Sequence, residues 1–570
     1  MKITARIAFV AAVLLIYTSI ILPIPAGAVS YSNYEKALDL KILGLLANSP
    51  DCFELGRAPS RVEGAVMLVR LLGKENLVKQ GSFKHPFIDV PAWANNYIGY
   101  LYQNGLTKGI SDSSFGPDSP MSANQYLTLV LRSLGYIDKT DFEYGQAIEK
   151  AGTLGLISLS EAAALKKTSS FIRNDMVGIS YNALNVKLKA SSLTLLDRLT
   201  GTEKAIFVPA ARVLGLYTSD LKTDFTGIAA YKPVAGKYGS VAKNTSDLFY
   251  LFRDAMYFNK ESLKIDVANY KGSITEDFKD IFDKASKVVT ELTGVEDFIS
   301  SWKYLSSSNT FTLTISYRYS KSTFAQRQQN AKAALNKART TVANLITSGM
   351  PEYDREKALH DYIINNTRYD YENYLKNTIP DESFNAYGCL IRGVAVCEGY
   401  SKAMKLLCDL SALECVVVNG KSKSGGALEG HAWNIVKIDG EYCHLDVTND
   451  DPVSKNGGNL LTYYYFNLPD SEMALSNVWN KSEYQKCTSI KNSYYYKNSL
   501  LADSRNAFDN AVQTALELRK SIIELKVADY SEARYSNLSE IIFKTNTVLR
   551  YNSLVNEELG IIRIYNIQYS

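Results

Sequence analysis

The sequence predicts a multi-domain chain in which an α-helical repeat region precedes a mixed α+β region carrying the chemistry, with a small α+β unit on either side of the latter. Three observations predict it. Segments of about 50 residues starting near Ser32, Phe87 and Phe142 each read as helix, turn-rich loop and second helix. A cysteine at the start of an apolar-striped helix is followed by a hairpin pattern between residues 397 and 446. Leu263-Lys-Ile-Asp-Val-Ala-Asn-Tyr270 is paralleled by Ile523-Glu-Leu-Lys-Val-Ala-Asp-Tyr530. At 570 residues the chain is too long for one hydrophobic core, which agrees with several domains.

The N-terminus reads as an export signal over residues 1–28. Lys2 and Arg6 precede an apolar run from Ile7 to Ile24, and Ala26-Gly27-Ala28 supplies the small residues a signal peptidase needs. The alternative is a retained membrane anchor, because the run approaches the roughly 20 residues that span a bilayer. No second apolar run follows, so no membrane association is expected after cleavage at Ala28. The formal net charge of +4 comes from 63 basic and 59 acidic residues without a run of one sign, so nothing points to nucleic acid. Six of the seven cysteines (Cys389, Cys397, Cys408, Cys415, Cys443 and Cys487) fall in one apolar-rich region, where most are expected as small buried hydrophobes rather than a disulfide framework. No C-x-x-C pair occurs, and no metal site is expected.

The repeats are placed at 29–86, 87–141 and 142–200, with a linker over 201–240. The middle one is clearest. Phe87-Ile-Asp-Val-Pro-Ala-Trp93 opens it, with Asp89 placed to cap a helix striped by Trp93, Tyr97, Tyr100 and Leu101. Asn104-Gly105, Gly109, Asp112 and Gly116-Pro117 punctuate the loop, and Tyr126 to Leu134 forms the second helix. This pattern resembles the S-layer homology (SLH) module, whose form is F-x-D-V-x-x-W, then a Gly- and Asp-punctuated loop, then a [ST]-R-x-E helix start. That start is Ser60-Arg61-Val62-Glu63 in the first repeat, Ile172-Arg173-Asn174-Asp175 in the third and the divergent Ser122-Ala123-Asn124-Gln125 in the second. The resemblance implies attachment to anionic secondary cell-wall polysaccharide and a cell-wall location on a bacterium, with Arg61, Glu63, Asp89, Trp93 and Arg173 as candidate contacts. An arginine fork and a helix N-terminus both favour anionic oxygens. By residue type alone, Arg61 reads as a helix-end arginine paired with Glu63, and Trp93 reads as core.

Residues 241–325 read as a small α+β unit, with a helical stripe from Leu248 to Phe258 and alternating runs at 262–268 and 311–317. Residues 500–570 read as a second copy. Neither carries a phosphate loop or paired histidines, so a spacer or binding role is expected.

The chemistry is expected in 326–490. Val396-Cys397-Glu398-Gly399-Tyr400 opens a helix whose apolar positions include Ala403, Met404, Leu407, Cys408 and Leu410. Cys397 therefore lies at a helix N-terminus, where the partial positive charge favours the thiolate. A strand-like run, Glu414 to Val418, leads through a Lys-, Ser- and Gly-rich loop to His431-Ala-Trp-Asn-Ile-Val436. Asp439-Gly440 then turns the chain into Glu441-Tyr-Cys-His-Leu-Asp446. A nucleophilic cysteine needs a base within hydrogen-bond reach and a third group to orient that base, and this order can supply both.

The three blocks V-C-E-G-Y, H-A-W-N and H-L-D-V-T-x-D-D-P resemble the signatures of the transglutaminase-like superfamily, which implies a papain-like α+β fold. The resemblance implies Cys397 as nucleophile, His431 as base and acid, and Asp446 as the orienting carboxylate. The backbone N–H of Cys397, with Tyr387, would serve the oxyanion. His444 is the rival histidine, two residues before Asp446 on the same strand, and Asp450 and Asp451 read as turn and capping residues. Asn449 departs from the family, whose members usually carry an aromatic there. The implied activity is acyl transfer from a peptide or protein amide to water or to an amine, without a cofactor. The competing reading is a wall-bound structural or binding protein that retains the fold without turnover.

Overall fold

The computed structural model describes residues 33–47, 53–168, 170–216, 239–293, 298–317, 323–423, 428–452, 460–535, 537–544 and 547–570. The expected export signal and Cys52 lie outside the described residues.

The second helices of the three repeats span Arg61–Leu71, Ala123–Ser133 and Arg173–Ala183. Two start with a capping box: Ser60 with Glu63, and Ser122 with Gln125. The divergent start of the second repeat has thus lost its arginine but kept its cap. In the third, Asp175 accepts the Ile172 N–H at 3.1 Å. The repeats interlock through these helix starts. The loop of the second repeat supplies Pro117 and Ser119 carbonyls to the N–H groups of Val62 and Arg61, and the loop of the first supplies Leu55 and Arg57 carbonyls to Asn174 and Arg173. First-turn N–H groups have no acceptor in their own helix, so each loop satisfies donors that would otherwise be orphaned.

Three expectations are overturned here. Asp89 caps no helix; its carboxylate accepts from Ser114 Oγ at 2.6 Å, Phe115 N at 2.7 Å and Gly116 N at 2.9 Å, tying the loop to the repeat opening. Trp93 lies on a single 3-10 turn, Ala92–Ala94, and is 62% exposed rather than core. The early part of the predicted linker is structured, with a helix at Val208–Val213 that buries Ala210 and Ala211 in the same apolar cluster as Leu407 and Leu410 of the Cys397 helix.

The two small units share an order of elements. In the first, helix Thr245–Tyr257, strand Ser262–Asp266, helix Ile274–Thr293 and strands Phe298–Leu305 and Thr310–Tyr317 form a sheet whose last strand lies in the middle. The second runs helix Arg505–Glu517, strand Ile523–Val527, two short helices, then strands Val548–Asn556 and Ile561–Tyr569, again with the last strand between the other two. An added edge strand, Leu501–Ala502, runs parallel to Ile523–Val527.

Between them, helices Phe324–Leu345, Glu352–Asn366 and Cys397–Leu410 pack beside an antiparallel sheet of Cys415–Ser422, Glu429–Ile438, Glu441–Leu445, Phe466–Leu468 and the short Asn477–Trp479. The helix Tyr34–Ile42 of the first repeat docks on Phe324–Leu345. Buried Asp39 pairs there with Arg339 at 3.0 Å, and Lys41 Nζ donates to the Ala343 carbonyl at 2.5 Å.

Candidate active site

Cys397 is the first residue of its helix, which follows extended Val396. Its N–H therefore has no intrahelical acceptor and remains available to an oxyanion. Gly399 explains the tightness of this corner: a Cβ there would lie 2.4 Å from the Ser383 carbonyl oxygen and 2.9 Å from the Ala395 Cβ. The segment facing the corner is the two-residue strand Arg368–Tyr369, paired in parallel with Val394–Ala395. Asp370 continues that ladder, its N–H bonded to the Ala395 carbonyl and its buried carboxylate accepting from Ser383 Oγ at 2.7 Å.

His431 is on strand Glu429–Ile438, opposite Gly420. A side chain at 420 would strike the Val478 carbonyl oxygen at 2.5 Å and the Trp433 ring at 2.6 Å, so glycine is required there. The turn expected at Asp439-Gly440 is present, both residues having positive φ, and the return strand Glu441–Leu445 ends one residue before Asp446.

The structure brings the three sequence-predicted residues together. His431 Nε2 lies 2.7 Å from Asp446 Oδ2, which leaves Nδ1 for the nearby Cys397 sulfur, whose influence is felt in the imidazole pKa. Burial, the largest influence, pushes the imidazole pKa down, but the Asp446 charge and hydrogen bond, together with Cys397, outweigh it and hold the value at about 10. At neutral pH His431 is therefore an imidazolium beside Cys397. Asp446 is fully buried and also accepts from Asn449, from the backbone N–H to Oδ1 at 3.1 Å and from Nδ2 to Oδ2 at 2.8 Å.

The rival His444 is directed elsewhere. Its Nδ1 accepts from the Trp433 indole N–H at 3.0 Å, and its Nε2 donates to Asp470 Oδ1 at 2.9 Å. Burial pushes this imidazole below its ordinary pKa, so it stays neutral. His444, Asp470 and Cys487 have ligand atoms within 4.8 Å of one another, spacing a metal ion would accept. The donor order opposes that use. A neutral histidine binding metal through Nε2 carries its proton on Nδ1, where Trp433 already points an N–H. Asp470 and His444 instead form a hydrogen-bond relay that fixes Trp433, whose ring stacks on His431 with centroids 5.8 Å apart.

Asp450 and Asp451 lie in the turn that follows Asp446, as expected, and both are buried. Asp450 is fully buried, accepting the Tyr465 N–H at 2.8 Å and facing His360 Nε2 at 3.2 Å, and Asp451 accepts the Tyr400 hydroxyl at 2.6 Å. These bonds fix the chain immediately after Asp446. Tyr387, the side-chain oxyanion candidate, is half-buried on the helical turn leading into Gly388–Arg392, its N–H bonded to Asn385 Oδ1 at 3.0 Å. Sequence reasoning gave no role to Tyr369, whose phenol pKa is raised by burial first and then by nearby Cys397. It also missed the rim contact in which Tyr374 donates to Glu429. The six cysteines among the described residues are free; five are buried and Cys397 is half-exposed.

At the wall-facing candidates, Glu63 accepts from Arg173 Nη1 at 2.6 Å and from Arg57 Nη2 at 2.6 Å. Arg173 is buried and also donates to the Phe53 carbonyl. Both side chains are thus engaged in joining the first and third repeats. Arg61 does not pair with Glu63 as residue type alone suggests. Its guanidinium lies 5.0 Å from the Phe115 ring centroid, and its buried Nε has no hydrogen-bond partner among the described residues.

A cysteine at a helix N-terminus, beside a sheet-borne histidine held by a buried carboxylate, is the arrangement that a nucleophilic thiol requires. Sequence comparison agrees: residues 339–447 match the transglutaminase-like superfamily, and residues 88–122, within the second repeat, match the S-layer homology domain. A cell surface protein of Thermoanaerobacter kivui is 36% identical over 108 residues, 18% of this chain and 14% of that protein. The kyphoscoliosis peptidase of Mus musculus is 26% identical over 129 residues, 21% of this chain and 19% of that protein. The chain thus spans less than a fifth of the length of either. A solved structure titled "Crystal structure of a TGase" aligns over 38% of this chain and 61% of its own, with 16% identity and a TM-score of 0.20.

Proposed function

We propose that this protein is an exported, wall-attached cysteine acyl-transfer enzyme that acts on peptide or protein amides. The observation that carries the reading is the placement of His431 between Asp446 and Cys397, with Cys397 at the N-terminus of its helix. The Cys397 thiolate attacks the amide carbonyl, forming a C–S bond, while the Cys397 N–H and either Tyr387 or Tyr369 receive the oxyanion. As the tetrahedral species collapses the C–N bond breaks, and His431 gives its proton to the departing amine. A thioester remains. The acceptor then attacks it, His431 takes the acceptor's proton, and the thiolate leaves to restore the starting ion pair. Water as acceptor makes the enzyme an amidase or peptidase; a lysine amine makes it a crosslinking transglutaminase.

Wall attachment is supported by the S-layer homology segment and by the cell surface relative. Arg61 is the leading contact for the anionic polymer, since its guanidinium is the one of the two predicted arginines not engaged with Glu63. Exposed Trp93 offers a flat face to a sugar ring. Glu63, Asp89 and Arg173 hold the repeat loops and helix starts in place through the contacts already described.

The test is brief iodoacetamide labelling at neutral pH, read by mass spectrometry, on the wild type, Cys397→Ala and His431→Ala. Fast labelling confined to Cys397 that slows at least tenfold without His431 is expected, and justifies amide substrates with and without amine acceptors. Labelling no faster than a free thiol and indifferent to His431 refutes the enzyme and leaves a wall-bound structural or binding protein.

A further inference from the structure

Asp446 is fully buried, so its carboxylate has only protein groups to replace its water. Two residues supply the hydrogen bonds described to its oxygens. His431 Nε2 takes Oδ2 at 2.7 Å. Asn449 takes both, its backbone N–H meeting Oδ1 at 3.1 Å and its side-chain Nδ2 meeting Oδ2 at 2.8 Å. A carboxylate can only accept, which fixes the orientation of the Asn449 amide with nitrogen inward. The two contacts to different oxygens form a clamp that stops rotation of the carboxylate about its Cβ–Cγ bond. The backbone beneath is held separately, by Asp446 N–H to the Tyr465 carbonyl at 3.1 Å and Asp450 N–H to the Asp446 carbonyl at 3.1 Å.

We propose that Asn449 is a positioning residue for the acyl-transfer site: its side-chain amide locks the Asp446 carboxylate in the one orientation that presents Oδ2 to His431 and shares that oxygen with the imidazole. The proposal rests on the assignment of Cys397, His431 and Asp446 as the reacting set. His431 must keep Nε2 on Asp446 while Nδ1 passes a proton between sulfur, leaving amine and acceptor. A carboxylate free to swing releases the ring and lets Nδ1 drift from Cys397, and small losses of alignment in such an array lower the rate steeply. Sharing Oδ2 has a second effect. Asn449 carries part of the carboxylate's charge, so His431 is not the sole stabiliser of Asp446 and can give up its proton during turnover. Asn449 touches neither substrate nor sulfur in this scheme; it acts through Asp446.

Two variants test this on the full chain, both leaving the backbone N–H contact to Oδ1 in place. Asn449→Ala removes the donor, and isosteric Asn449→Asp replaces it with a group that repels Asp446 Oδ2. The first readout is the downfield proton resonance of the His431–Asp446 hydrogen bond, assigned by its loss in Asp446→Asn. The second is the Cys397 alkylation rate from pH 5 to 10. The third is the split between kcat and KM on any amide substrate that labelling work identifies. The titratable groups that feel Asp446 besides His431 include Tyr369, His444, Asp450 and Tyr465; neither substitution replaces any of them, and Asn449→Ala adds no charge beside them.

In both variants the resonance should broaden or vanish and alkylation should fall about tenfold or more, with kcat reduced and KM kept. Asn449→Asp should be the more damaging. Folded variants that keep the resonance and the wild-type alkylation profile overturn the proposal, as does a loss of melting temperature with the alkylation rate of the folded protein unchanged. Failure of the underlying enzyme assignment looks different: wild-type labelling would then ignore His431, while the resonance would still report whether Asn449 orders the Asp446–His431 pair.

Discussion

Replacing Asp446 by asparagine should convert His431 from an imidazolium to a neutral imidazole at neutral pH. In the folded protein the His431 pKa stands at about 10, against the 6.5 of an ordinary imidazole. At about 1.4 kcal/mol per unit, Asp446 and Cys397 together overcome burial by roughly 5 kcal/mol in favour of the charged ring. Because the ring is buried, with its side chain 8% exposed, solvent screens this little. Asp446→Asn keeps the size and an acceptor oxygen but removes the charge, the largest of the raising influences. Burial, the largest influence and a lowering one, is left opposed by Cys397 alone, so the midpoint should fall below neutrality. The chain has four histidines, so carbon- and nitrogen-edited imidazole spectra are simple to assign with a His431→Gln control.

A stability signature accompanies the shift. A histidine raised in the folded state contributes stability that is fully present below its unfolded pKa, here near 6.5, and is lost as pH rises through about 10. Wild type and Asp446→Asn should therefore differ most at pH 6 and converge above pH 10. A His431 midpoint that stays above 9 in the variant refutes Asp446 as the source of the charge, and with it the mechanism built on the pair.

Two further predictions concern buried carboxyls away from the sulfur. Glu356 is fully buried, one oxygen accepting from Asn467 Nδ2 at 2.6 Å and the other without a partner among the described residues, and burial raises its pKa to about 8. Such a group contributes stability present below about 4.5 and lost as pH rises through 8. Glu356→Gln should accordingly match the wild type near pH 5 and exceed it at pH 9 by up to roughly 4 kcal/mol in urea unfolding; equal stability at both values refutes the buried acid. Arg339→Ala strands Asp39 between the first repeat and the helix Phe324–Leu345, and at pH 7 should cost about 3 to 5 kcal/mol. Burial chiefly, against the pull of Arg339, raises the Asp39 pKa to about 6, so the cost should shrink at pH 5 as the carboxyl takes up its proton; a cost that does not change with pH shows the ion pair to be unimportant.

The residues that sequence reading placed well are those whose roles are local. Cys397 follows from an apolar stripe that starts at the cysteine itself, and the hairpin carrying His431 and Asp446 follows from alternation about Asp439-Gly440, whose positive φ values only a tight turn requires. Long-range partners left no such trace. Glu63 and Arg173 stand in different repeats, and nothing in the short motif around either one indicates that they bond to each other at 2.6 Å. Trp93 reads as core because tryptophan in a periodic stripe is usually buried, yet the stripe fails at its first turn, where a 3-10 turn rotates the ring outward. The linker failed for a related reason: the helix Val208–Val213 is too short for periodicity to register, and it exists because the Cys397 helix offers an apolar face for Ala210 and Ala211.

Asn449 shows how such a gap hides function. Against the family pattern it is visible as a departure, and a departure at one position suggests only altered packing. Its meaning depends on where Asp446 points, which depends in turn on a strand that ends one residue earlier and on Tyr465 and Asp450 fixing the backbone from outside the motif. A buried carboxylate needs donors, and once the fold removes water from Asp446 the choice of donors decides how firmly the carboxylate is held and how much of its charge reaches His431. The motif therefore names Cys397, His431 and Asp446, while the residues that set their alignment are identified by tracing each hydrogen bond of the buried charge.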